Sequence, residues 1–135
     1  MSPSPGAYRI DPNERIVYIA GREIATLDEW AAFIDEILAD PSYQVGFSLI
    51  SDRRDQHQVP PPGYARAMAE KLHERAGKLA GCRWAMVVNS TVAYGLGRMI
   101  ELTVESDGID MRLFTDYEAA MAWIRAGKRD VQARA

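Results

Sequence analysis

Val45 to Ile50 and Trp84 to Val88 are short, nearly uninterrupted apolar runs, and an amphipathic stretch long enough for a helix lies between them. A run of five or six apolar residues is too short for a stable helix and lacks the polar alternation of a half-exposed strand. It fits a strand covered on both faces. Two such strands linked through a helix are expected to be parallel, because a parallel pair needs a crossover and the crossover is usually helical.

The rest of the chain extends this pattern. Tyr8 to Ile10 and Arg15 to Ile19 are β-prone and flank Asp11-Pro12-Asn13-Glu14, a cluster of turn formers, so they predict an opening antiparallel hairpin. Thr26-Leu27-Asp28-Glu29 is a capping box, and Leu27, Trp30, Ala31, Ile34, Ile37 and Leu38 follow at helical spacing until Asp40-Pro41. A second helix is predicted from about Gly63 to Ala80, stopped by Gly81. A third starts near Asn89-Ser90-Thr91 and carries Val92, Leu96, Met99 and Ile100. Met111 to Phe114 is the last strand. Thr115-Asp116-Tyr117-Glu118 then repeats the capping-box pattern ahead of a helix that Gly127 is expected to end.

The order is β-β-α-β-α-β-α-β-α, which defines an α/β fold: a five-stranded mixed sheet, its hairpin antiparallel and the remainder parallel, with four helices. Residues 8–127 form the single domain, 1–7 are a lead-in and 128–135 a tail. Phe33 and Trp123 fall off the main apolar stripes of their helices and are expected to be exposed on a lone chain, which favours a homodimer.

Composition narrows the function classes. Sixteen basic and nineteen acidic residues give a formal charge of −3 with no basic cluster, which argues against nucleic acid or an anionic membrane surface as a partner. No run approaches a membrane span, the start has no signal-peptide pattern, and a single cysteine, Cys82, fits a reducing, cytoplasmic setting. His57 and His73 are the only histidines and have no zinc-site spacing, so no metal is expected.

The second half carries a family resemblance. Trp84-Ala85-Met86-Val87-Val88, then Tyr94-Gly95-Leu96-Gly97-Arg98-Met99, then Arg112-Leu113-Phe114-Thr115-Asp116-Tyr117-Glu118-Ala119-Ala120-Met121-Ala122-Trp123-Ile124 resemble the bacterial SpoIIAA-like sequences. These are related to the STAS (sulphate transporter and anti-sigma-factor antagonist) and CRAL-TRIO folds. The likeness spans roughly residues 8 to 126 and implies the same hairpin-led sheet, but most members have no assigned activity. For STAS antagonists it implies a phosphorylatable serine at the start of the second helix, docking on a partner kinase. Here the segment is Ser51-Asp52-Arg53-Arg54-Asp55-Gln56-His57-Gln58-Val59 followed by three prolines, with Ser51 at the end of the strand instead. Ser51 is thus the one phosphorylation candidate.

Ligands of open α/β sheets bind beyond the carboxyl ends of the parallel strands. The loops after Ile50, Val88 and Phe114 are therefore the default site. The long segment from Ser51 to Pro62 brings Asp52, Arg53, Arg54 and His57 together, and its guanidinium pair offers a clamp for a carboxylate or phosphate. Equally, these charges can solvate a loop and pair with one another. Ser90 and Thr91 open a helix whose N–H groups favour an anion, or simply cap it. Tyr94 and Arg98 share a helical face. The lone G-x-G of Gly95 and Gly97 lacks the third glycine of a dinucleotide site, so no cofactor is expected. Ser90, His57 and Asp52 have no nucleophile elbow. The leading expectation is a non-enzymatic SpoIIAA/STAS-like module acting through protein contacts, with a regulatory protein as partner. The alternative is a small-molecule or lipid-binding domain with a pocket at the strand ends, and an enzyme using the 51–57 loop comes after both.

Overall fold

The computed structural model describes residues 6–21, 26–55, 63–89 and 104–134. The element order is β1 (Gly6–Asp11), β2 (Ile16–Gly21), α1 (Leu27–Ala39), β3 (Ser48–Asp52), α2 (Tyr64–Glu74), a single turn α3 (Ala76–Leu79), β4 (Arg83–Val87), a 3-10 turn (Glu105–Asp107), β5 (Asp110–Phe114) and α4 (Tyr117–Arg134). Five strands form one mixed sheet in the order β1-β2-β3-β4-β5, with β1 antiparallel to β2 and all other pairs parallel. This is the α/β architecture expected from the sequence. The predicted third helix, with Val92, Leu96, Met99 and Ile100, lies outside the described residues.

The local signals act as their chemistry dictates. Thr26 caps α1 by accepting from the Glu29 N–H at 3.1 Å, and the Asp40 N–H closes the helix on the Ile37 carbonyl. At α4 the cap is Asp116, not Thr115: its carboxylate accepts from the Ala119 N–H at 3.1 Å, because position three of the helix falls there once Tyr117 is its first residue.

Four boundaries differ from expectation, each for a visible reason. Val45 is 60% exposed and precedes β3, since Gly46 adopts φ +98° and a turn through Gln44 and Phe47 delays the extended run to Ser48. The polar pair Ser51 and Asp52 continues the strand instead. The second helix breaks at Arg75. Its own guanidinium occupies the Lys71 carbonyl at 2.8 Å, the acceptor a continuing helix would use, and its N–H turns to Leu72. Asp35 of α1 holds that guanidinium in a fork at 2.7 and 3.0 Å. Gly127 does not end α4, which runs on through Arg134. Its missing side chain leaves room for Arg83, whose Nε lies 2.5 Å from where a Cβ would stand.

Two cores result. On one face Val17, Leu49, Trp84 and Met111 pack with Trp30, Phe33 and Ile34 of α1 and Met68 and Leu72 of α2. On the other, Ile16, Ile50, Ala85 and Val87 meet Ala120, Met121 and Ile124 of α4, which lies mainly along β4. Both α1 and α2 thus cover the same face, as same-handed crossovers between strands laid down in consecutive order require. Phe33 is buried and meets the Tyr8 ring edge-on at 5.9 Å, against the expectation that it would be exposed. Trp123 is half-buried, next to Phe114 and within stacking distance of the Arg83 and Arg112 guanidiniums at 4.9 and 5.2 Å. Phe33 therefore gives no ground for expecting a second copy. No helix among the described residues is long and apolar enough to cross a membrane.

Candidate functional site

The default site is the set of loops after Ile50, Val88 and Phe114, and Ser51, Asp52, Arg53 and Arg54 lie at the first of these, the carboxyl end of β3. Strand alternation sends them in different directions. Ser51 points into the larger core, is 1% exposed, and accepts from the Trp84 indole N–H at 2.9 Å. Its hydroxyl is the partner that lets an indole be buried there. Asp52 and Arg54 form an internal fork: Nε donates to Oδ1 at 2.9 Å and Nη2 to Oδ2 at 2.8 Å, with the Arg54 backbone N–H adding a third bond at 3.1 Å. That guanidinium, reinforced by its backbone N–H, holds the Asp52 carboxyl below the usual carboxylate range against the opposing effect of burial.

The two arginines do not form one clamp. Arg53 packs on the α2 side, against Gly21 and within electrostatic reach of Tyr64, and burial lowers its guanidinium pKa. Arg54 leans the other way, its guanidinium 5.2 Å from the centre of the Tyr117 ring of α4. The sheet edge separates them, so a shared bidentate grip on one anion is not built here. His57, Ser90, Thr91, Tyr94 and Arg98 lie outside the described residues.

Two participants went unnoticed in the sequence. Asn89 donates its side-chain amide to the Arg54 carbonyl at 2.5 Å, tying the β4 exit to the β3 exit. Tyr117 supplies the ring beneath Arg54, and burial followed by Asp52 raises its phenol pKa. The Tyr117 signal was present as an aromatic at the first position of a helix returning beneath the sheet. Asn89 looked like a helix cap.

A second group lies beside this one on the same face of the sheet. Arg9 of β1 stands directly across from Tyr18 of β2 in the register, its guanidinium 4.2 Å from the ring centre. The Tyr18 hydroxyl donates to Glu14 at 2.7 Å, and Arg125 of α4 approaches the same carboxylate at 3.5 Å. Because α4 follows β4, no described helix roofs this corner of the sheet: Ala7, Arg9 and Ala20 are exposed and Tyr18 only partly buried. The alternation of Ala7, Arg9 against Tyr8, Ile10 would have revealed it.

Elsewhere, an open groove of about 410 Å³ runs between α1 and the α2–α3 break, lined by Asp35, Leu38, Glu74, Arg75, Gly77 and Lys78. It lies away from the strand ends, and the Asp35–Arg75 fork sits within it. Among the described residues no group of three or more His, Cys, Asp or Glu side chains is placed to hold a metal. Cys82 is buried, and burial, with Asp110 adding to it, pushes its thiol up to about 12.

No family model, curated protein or solved structure matches this chain.

Proposed function

We propose that this chain is a non-enzymatic, cytoplasmic binding or regulatory module of the SpoIIAA/STAS-like kind that acts through contacts with another protein. The observation that carries the reading is the corner of the sheet that α4 does not cover, where Arg9 lies over Tyr18, with Arg54 over Tyr117 of α4 beside it. Arginine and tyrosine dominate the energetic centres of protein interfaces, since each combines a broad apolar surface with donors at its tip. The strand-end side chains support the same reading by what engages them: Ser51 serves Trp84, and Arg54 serves Asp52. A serine held as an indole's acceptor in the core is badly placed to receive a phosphoryl group.

The test is photo-crosslinking in the native host. A benzophenone side chain placed at Tyr18 is expected to capture one discrete protein, whereas the same group at Arg66, exposed on α2, captures none. Equal labelling from both positions, or labelling from neither, would reject the reading.

A further inference from the structure

Two strands end the sheet, and their outer edges differ. On β5, Met111 and Leu113 are only 2% and 7% exposed, and the exposed Asp110 and Arg112 approach each other at 3.9 Å. On β1, the exposed Ala7 and Arg9 alternate with the half-buried Tyr8 and Ile10, which pack against the larger core without closing it. Among the described residues, β1 is thus the edge strand whose outward charge lacks an opposite charge beside it. It presents two chemically distinct sides: an unfinished apolar margin with the half-buried Tyr8 and Ile10, and a cationic margin with Arg9. No carboxylate among the described residues lies within ion-pair distance of the Arg9 guanidinium, whereas Arg54 has Asp52 and Arg125 approaches Glu14.

Resting on the protein-contact reading above, we infer that the outer edge of β1 accepts an added strand, an extended segment of a partner in which apolar and acidic residues alternate. An edge strand offers unpaired backbone groups that an incoming chain can bond, and alternate side chains then supply specificity. In such a pairing the partner's apolar side chains extend the Tyr8–Ile10 margin, while a carboxylate beside Arg9 makes a cross-strand pair with a guanidinium that has no carboxylate among the described residues. Tyr18 holds that guanidinium in place over its ring. The competing role for Arg9 is a guard charge that keeps the edge from pairing at all. The two roles predict opposite outcomes.

The experiment titrates the isotopically labelled chain with a synthetic peptide alternating valine and glutamate, alongside a control with glutamine for glutamate. Amide shifts are expected along Gly6–Asp11 and at Tyr18, with the glutamine peptide binding about tenfold more weakly, the scale of one lost charge pair. Arg9→Ala should lose the same factor, and Arg9→Glu should transfer preference to a valine–lysine peptide, each with an unchanged circular dichroism spectrum. Equal binding of both peptides, shifts confined to another surface, or self-association of Arg9→Ala in sedimentation would overturn the inference. If the peptide fails while Tyr18 still crosslinks to a protein, strand addition is wrong and the contact module stands. If both fail, both readings fall.

Discussion

Single side chains settle what the strand-end cluster does. Replacing Ser51 by Ala leaves the buried Trp84 indole N–H without its acceptor, and the expected loss is about 1–3 kcal/mol in chemical denaturation. A phosphoacceptor on a flexible edge would tolerate that change, so a loss below about 0.5 kcal/mol, ordinary for surface sites, would contradict the buried role. Cys82 offers a second check. Its thiol pKa is raised to about 12 in the fold, above the unfolded value, so its contribution to stability is full below pH 9 and disappears as pH climbs toward 12. A thiol reagent at pH 8 should therefore modify it only at the rate of unfolding, and rapid labelling of the native chain would refute this. Tyr8 behaves alike: its bond to Asp40 at 2.9 Å, more than burial, lifts its phenol to about 12. At this scale the sequence was a partial guide. Residue types at the end of β3 were readable, and so was the alternation that parts Arg53 from Arg54, but which groups engage each of them depends on what stands across the sheet, and nothing local encodes that.

Elements obey their local signals until a distant side chain intervenes. Gly127 has the look of a helix stop, yet α4 continues through it because Arg83 crosses the space a side chain would fill and donates to the Trp123 carbonyl at 2.9 Å. Glycine to alanine inside a helix ordinarily gains about 1 kcal/mol. Here Gly127→Ala is expected to bring no gain or a loss, because Arg83 must leave the Trp123 ring. With Arg83→Ala as background the ordinary gain should return, and a thermodynamic cycle of the four chains measures the coupling. Additive effects would mean that the crossing is immaterial. The break between α2 and α3 has a similar cause, the Arg75 guanidinium on the Lys71 carbonyl, and no periodicity could announce it. The cap of α1 and the apolar stripes of α1, α2 and α4 were legible because they depend on neighbours three and four residues away.

Strand count, pairing sense and helix alternation were legible at the scale of the whole molecule, since buried parallel strands leave continuous apolar runs. The functional location was less so. The rule that places ligands at strand ends relies on a reversal in strand order that opens a crevice. The sequence β1-β2-β3-β4-β5 contains no such reversal. Sheet order also predicts the pattern of protection: amides of β3 and β4, paired on both sides, should exchange slowest with deuterium, and those of β1 should exchange among the fastest strand amides. Uniform protection across the sheet would contradict an open β1 edge. The same ordering has a consequence for biosynthesis. Every strand precedes α4 in the chain, so at roughly 5–20 residues per second the ribosome delivers the whole sheet before the one described helix that covers its second face. During that interval Ile16, Ile50, Ala85 and Val87 have no described helix over them until Ala120, Met121 and Ile124 emerge, and this apolar face is the part of the nascent chain most exposed to aggregation.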